Sequence, residues 1–188
     1  MRIVFMGTPY FAVPVLKLLV LNDYQVIAVY TQPDKPAGRG CRMALSPVKQ
    51  EALSLGLKVI QPDSLKKEQS FEQLAALKPD IIVVAAYGQI LTQAVLDLPK
   101  YKCINIHPSL LPKYRGAVPV AASILNGDSF TGVSIMQMDK GLDTGPVISQ
   151  AQIPVLGYDN TGILTHKLSL LGAFLLLEIL PDWIKGGI

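Results

Sequence analysis

The stretch "YKCINIHPSLLPKYRGAVPV", residues 101–120, carries an amide and an imidazole to the end of a strand-like run. In "CINIH" the two-residue period of a strand sets Asn105 and His107 on one face, while Ile104 and Ile106 turn the other way into packing. The polar pair therefore converges on one point. An Asn amide is a neutral donor to a developing oxyanion, and a His beside it can hold or pass a proton. The plainer alternative makes Asn105 a turn cap and His107 a satisfied, half-buried ring. Convergence of two such groups at one strand end favours chemistry. Farther on, "MDKGLDTGP" places Asp139 and Asp143 on a glycine-bearing loop. A carboxylate near a His orients its ring and favours the charged form. Asp143 also has a plain alternative, an Asx-turn residue in "DTG". An Asn, a His and an Asp, with no Ser or Cys nucleophile at a recognisable elbow, suggest acyl or formyl transfer through a tetrahedral intermediate without a covalent enzyme intermediate.

Such a trio needs a scaffold, and the flanking sequence supplies alternating strand and helix signals. "RIVFMG" reads as a strand, "YFAVPVLKLLVLN" as a helix, "YQVIAVYTQ" as a strand, and "SPVKQEALSLG" as a helix opened by Ser-Pro and closed by Gly. "KVIQP" is a short strand, "SFEQLAALK" a helix, and the β-branched run in "PDIIVVAAYGQIL" a strand buried on both faces, expected at the sheet centre. "TQAVLDL" and "GAVPVAASILNG" are helices on either side of "CINIH". The alternation predicts an α/β fold, a doubly wound, mostly parallel sheet, with ligands at the carboxyl ends of its strands. From residue 130 the pattern changes to two strand-like segments around a Gly-rich turn, predicting antiparallel strands added near residues 130–155. A final helix is expected over Thr161 to Lys185.

At 188 residues and 50% hydrophobic, the chain can bury a full core as one domain. A net charge of +3 permits an anionic partner without requiring one. Cys41 and Cys103 lie far apart without metal-ligand spacing, as expected of a cytoplasmic protein with free thiols. The first residues lack a small-residue cleavage site, so no signal peptide is expected, and "LSLLGAFLLLEIL" is too short to span a bilayer and is expected to be a buried helix. The Gly-containing turn in "MGTP" lacks both the dinucleotide and the P-loop pattern and reads as architectural. The one long irregular connection, residues 31–49, is rich in Pro, Gly and cations.

Taken in order, "MRIVFMGTPYFAVPVL", "TQPDKPAGRG", "SPVK", "VVAAYGQIL", "NIHPSLLPKYRGAVPV" and "TGVSIMQMDKGLDTGPVI" resemble the amino-terminal catalytic domain of the methionyl-tRNA formyltransferase family, within the folate-dependent formyltransferase superfamily. The resemblance implies a Rossmann-like formyltransferase fold over residues 1–188, with the family's carboxyl-terminal β-barrel tRNA-binding domain absent from this chain. It implies transfer of a formyl group from 10-formyltetrahydrofolate to the methionine amine of methionyl-initiator tRNA, with Asn105, His107 and Asp143 catalytic and neither metal nor redox cofactor required. The folate pocket maps onto Tyr87, the backbone of Gln89, Ile90 and Leu91, the segment Ser109, Leu110, Leu111 and Pro112, and Asp139. Ile90 and Leu91 would be core residues in any α/β protein, which is their plain alternative. Lys35, Arg39, Arg42 and Lys49 of the insertion are implied in binding the tRNA acceptor end, Arg39 specifically, and Lys113 and Arg115 extend the basic rim. The implied partners are initiator methionyl-tRNA and folate, with no membrane, and the chain is expected to be a monomer. Two alternatives remain. A relative acting on a small amine, such as an amino sugar or glycinamide ribonucleotide, or hydrolysing formyltetrahydrofolate, would share the trio. A noncatalytic folate- or RNA-binding module would lack part of it.

Overall fold

The run "IIVVA" is buried at all of its five positions because it becomes the middle strand of a sheet covered on both faces. In the computed structural model, which describes residues 1–37 and 42–186, this strand is β6, Ile81–Ala85. The preceding strands are β1 (Arg2–Gly7), β2 (Gln25–Tyr30), the pair β3 (Lys35–Ala37) and β4 (Arg42–Ala44), and β5 (Val59–Ile60). Helix α1 spans Val13–Leu21, α2 Pro47–Ser54, α3 Glu68–Ala76, and α4 Gln93–Asp97. After β7 (Cys103–His107) come α5 (Pro119–Leu125), β8 (Phe130–Gln137), β9 (Val147–Pro154) and α6 (Thr161–Lys185). The seven-stranded sheet has the order β5-β2-β1-β6-β7-β8-β9, parallel from β5 through β7, with β8 and β9 added antiparallel at one edge. Both the alternation and the antiparallel addition agree with the expectation from sequence.

Strand alternation splits the core into two layers. Ile3, Phe5, Val29, Ile81, Val83, Ile104 and Ile106 face α1 and α6. Val4, Met6, Ala28, Ile82, Val84 and Cys103 face α3 and α4. In β7 the isoleucines thus anchor one side, and Cys103, Asn105 and His107 share the other. Cys103 is 1% exposed, and burial pushes its thiol pKa up to about 12. The folded protein is expected to leave Cys103 unmodified by iodoacetamide at neutral pH, as mapped by mass spectrometry, and to become alkylated there only on unfolding.

Helix α6 is the one described helix long and apolar enough to cross a membrane, and half of its most apolar window is buried inside the protein. Leu164, Leu168, Leu175, Leu176, Ile179 and Leu180 supply that packed face. Asn160 caps its start by accepting from the Ile163 N–H at 3.0 Å, and Trp183 Nε1 donates to Tyr101 O at 2.9 Å, tying its end to the segment that enters β7. Gly172 lets the helix approach β7 and β8 closely. A Cβ there would stand 2.7 Å from Ile106 Cγ2 and 3.2 Å from Val133 Cγ1, both on β-branched side chains with little freedom to move. Gly172→Ala is expected to lower stability by about 1–3 kcal/mol despite the better helix propensity of Ala, measurable as a lower urea midpoint.

Residues 31–49 depart from the irregular connection expected. Lys35↔Ala44, Pro36↔Met43 and Ala37↔Arg42 pair as a short antiparallel hairpin, and α2 begins at Pro47 behind a Ser46 cap. A three-residue strand containing Pro gives almost no period-2 signal, so its pairing is set by the partner strand rather than by its own composition.

Candidate active site

Asn105 and His107 end β7, are 8% and 4% exposed, and open into a cavity of about 530 Å³. This lies beyond the carboxyl ends of the parallel strands, where such folds bind ligands. The third group arrives from the loop between β8 and β9. Asp143 adopts a left-handed backbone (φ 52°), which turns its carboxylate back toward β7. Asp143 Oδ2 lies 3.6 Å from His107 Nδ1, and Asn105 Nδ2 lies 3.5 Å from Asp143 Oδ1. Separations of this size are ordinary in sites that tighten around reacting atoms. The Gly116 N–H donates to Asp143 Oδ2 at 2.8 Å and fixes the carboxylate.

His107 Nε2 lies 2.9 Å from the carbonyl oxygen of Tyr114. A carbonyl only accepts, so this contact assigns a proton to Nε2 and leaves Nδ1 facing Asp143. Tyr114 itself has φ 56°. Ser109 Oγ–H donates to Lys113 O at 2.5 Å, closing the loop that presents the Tyr114 carbonyl. The loop does contain an Asx turn, at the other aspartate. Asp139 Oδ1 accepts from the Gly141 N–H at 3.0 Å and from Thr144 Oγ1 at 2.8 Å, which folds the loop and frees Asp143 for the site.

The cavity wall includes Tyr87, Gln89, Ile90, Leu91 and Asp139, five of the residues assigned to the folate pocket. Ile90 is 74% exposed at the mouth, unlike a core residue, whereas Leu91 is buried. The Gln89 side chain is occupied elsewhere, accepting from the Leu65 N–H at 3.1 Å and donating to Pro62 O at 2.9 Å, which leaves its backbone to face a ligand. Ser109, Leu110, Leu111 and Pro112 are not in the wall. They form the turn behind His107, where the Leu111 N–H donates to Ser134 Oγ at 2.9 Å and Ser134 Oγ–H donates to Ser109 O at 2.6 Å. There the Ser109 N–H also donates to His107 O at 2.9 Å.

The insertion cations divide. Lys49 Nζ binds Asp34 Oδ2 at 2.6 Å and Gln61 Oε1 at 2.7 Å, holding the Asp34 carboxyl below its usual range together with Gln61. Lys49 is thus an internal strut of the loop base rather than an open phosphate contact. Lys113 is similarly paired with Asp128 at 2.7 Å, while Arg115 adjoins Gly116 in sequence. Lys35 is exposed, Arg42 opens β4, and Arg39 lies outside the described residues. Sequence reasoning missed Thr8 and Gln32, which bind the carbonyls of Tyr87 and Gly88. The Thr in "MGTP" is the available signal, in a turn that lacks a phosphate-binding pattern.

A formyl transferase family profile matches residues 1–180. The chain belongs to the formyl transferase family. The curated methionyl-tRNA formyltransferase of Dehalococcoides mccartyi strain 195 is 58% identical over 180 residues, covering 96% of this chain and 58% of that protein. The Bacillus subtilis protein of the same name is 50% identical over 187 residues, covering 100% of this chain and 59% of its own length. The chain therefore spans about three-fifths of the curated relatives it matches. Among solved structures, glycinamide ribonucleotide transformylase 1 from Symbiobacterium toebii shares the fold, with a TM-score of 0.80 at 20% identity over 99% of this chain and 88% of that one. An N-formyltransferase from Helicobacter canadensis, solved with folinic acid and dTDP-3-aminofucose, has a TM-score of 0.75 at 25% identity over 99% of this chain and 65% of its own.

Proposed function

We propose that this chain carries the catalytic centre that transfers a formyl group from 10-formyltetrahydrofolate to the methionine amine of methionyl-initiator tRNA. The observation that carries the reading is the meeting of Asn105, His107 and Asp143 at the end of one cavity. The relatives named above favour methionyl-tRNA over other acceptors. The cavity suits a flat heteroaromatic donor, because apolar walls give stacking area and the left-handed turn at Ala86 and Gly88 leaves main-chain groups along one edge.

The bound donor supplies an activated formyl group and a nitrogen able to leave. Asn105 Nδ2–H and His107 Nδ1–H, when the ring is charged, hold the formyl oxygen as negative charge develops on it. Asp143 sits beside both donors. It balances the charged ring, accepts the proton lost by the attacking amine and returns it to the departing nitrogen, so that one C–N bond forms as another breaks and no group remains on the protein. The Tyr114 carbonyl holds the ring by Nε2 throughout, leaving Nδ1 as the nitrogen that works. Lys35, with Arg39 and Arg42 of the insertion, supplies affinity for the RNA phosphates.

The test compares kcat/KM for methionyl-initiator tRNA, free methionine and a small amino-sugar acceptor with 10-formyltetrahydrofolate as donor, and repeats the tRNA reaction with Arg39→Ala. Preference for the charged tRNA, reduced by the substitution, supports the assignment. Turnover of the amino sugar alone moves the chain to the small-amine branch and removes the role given to residues 31–49.

A further inference from the structure

One wall of the cavity is held in place by the root of the basic insertion. In that wall Ala86 (φ 47°) takes a left-handed conformation that needs outside support, next to Gly88 (φ 82°), whose left-handed backbone glycine adopts freely. Support comes through two carbonyls. Thr8 Oγ1–H donates to Tyr87 O at 2.8 Å, and Gln32 Nε2–H donates to Gly88 O at 2.7 Å. A Cβ at Gly88 would lie 2.4 Å from Gln32 Nε2, so the amide rests directly on bare backbone. The other groups of Gln32 are also engaged. Its N–H donates to Thr8 Oγ1 at 3.3 Å, its carbonyl accepts from Gln61 Nε2 at 2.9 Å, and its Oε1 accepts from Lys35 Nζ at 2.9 Å. Lys35 is the first residue of the hairpin β3–β4, whose base is braced by the ion pair of Lys49 and Asp34 and by Gln61 Nε2 donating to Asp34 Oδ1 at 2.8 Å.

We propose that Gln32 is a positioning residue that couples an anionic acceptor bound at the insertion to the donor cavity, so that either ligand strengthens binding of the other. The identities of the two ligands rest on the formyl-transfer reading; the connection rests on the bonds above. A carboxamide is planar and rigid, so its two ends move together. Among the described residues Gln32 takes one of the three Lys35 ammonium hydrogens, leaving others for a phosphate. An anion that immobilises the ammonium also immobilises the amide, and through it the Gly88 carbonyl. The ordering cost of the cavity wall is then already met when the donor arrives. Thermodynamic linkage makes the effect reciprocal, with a usual size of about five- to a hundredfold.

The test measures the dissociation constant of folinic acid, a folate that does not transfer its formyl group here, with and without saturating methionyl-initiator tRNA. Wild type, Lys35→Met and Gln32→Met are compared, with saturation established separately for each. In the wild type the RNA is expected to tighten folinic acid binding by about fivefold or more. Lys35→Met is expected to bind folinic acid alone within about twofold of wild type and to lose the tightening, because Gln32 still holds Gly88 while its link to the insertion is cut. Gln32→Met is expected to lose the tightening and also to weaken folinic acid binding alone. Equal constants with and without RNA in the wild type, or full tightening in Gln32→Met, would overturn the coupling. A parallel assay with 10-formyltetrahydrofolate separates the two levels. Formylated tRNA without coupling overturns this inference alone, and absence of formylated tRNA overturns the formyl-transfer reading together with it.

Discussion

Asp143→Asn is expected to reduce kcat for formyl transfer by about 10²–10⁴-fold while folinic acid binds within a few-fold of wild type. With His107 charged, the carboxylate is the one of the three groups able to take a proton from the attacking amine. The amide that replaces it accepts poorly and cannot balance a charged His107. It also meets the Gly116 N–H, which donates to Asp143 Oδ2 at 2.8 Å in the native site. The asparagine must turn its oxygen toward that donor, and its NH2 then takes the place of Oδ1 and points at Asn105 Nδ2, where an acceptor is needed. Steady-state kinetics and a folinic acid titration on the same preparation separate the two effects. Turnover within threefold of wild type would remove Asp143 from proton transfer.

Asn105→Ala is expected to cost about 10²–10³-fold in kcat with a much smaller change in the Michaelis constant for the donor. Asn105 is 8% exposed, and its Nδ2 is bonded only to Asp143 Oδ1 at 3.5 Å among the described residues. A long ground-state bond of this kind gives up little when the amide turns to a stronger, charged acceptor, so the donor acts mainly where negative charge develops. An equal loss in kcat and gain in the donor Michaelis constant would instead make Asn105 a binding residue.

The parts of this fold that are legible from sequence are those whose signal is local. The unbroken β-branched run of β6 announces a strand covered on both faces, and Ser46-Pro47 announces the start of α2. The alternation in "CINIH" suffices to set Asn105 and His107 on the face opposite the isoleucines. What is not legible depends on distant partners. Asp139 and Asp143 offer the same carboxylate four positions apart, and only the fold decides that the first closes an Asx turn while the second faces His107. Lys49 reads as a free cation on composition, yet Asp34 and Gln61 bind it. Ser109 to Pro112 stand next to β7 in sequence, but Ser134 draws their backbone behind it. Gln32 gives no signal at all, since its importance lies in a contact with Gly88, 56 residues away.

The most direct measurement is a single-turnover rapid-quench experiment with enzyme in excess over 10-formyltetrahydrofolate, run with methionyl-initiator tRNA and without it. Released tetrahydrofolate, formylated amine and the intact mass of the protein are followed together. Direct attack at the centre formed by Asn105, His107 and Asp143 predicts that tetrahydrofolate and formylated methionyl-tRNA appear at the same rate and in equal amounts, only with the amine present, and that the protein mass never changes. Tetrahydrofolate released before any amine is added, with a formyl group left on the protein or lost as formate, would contradict it.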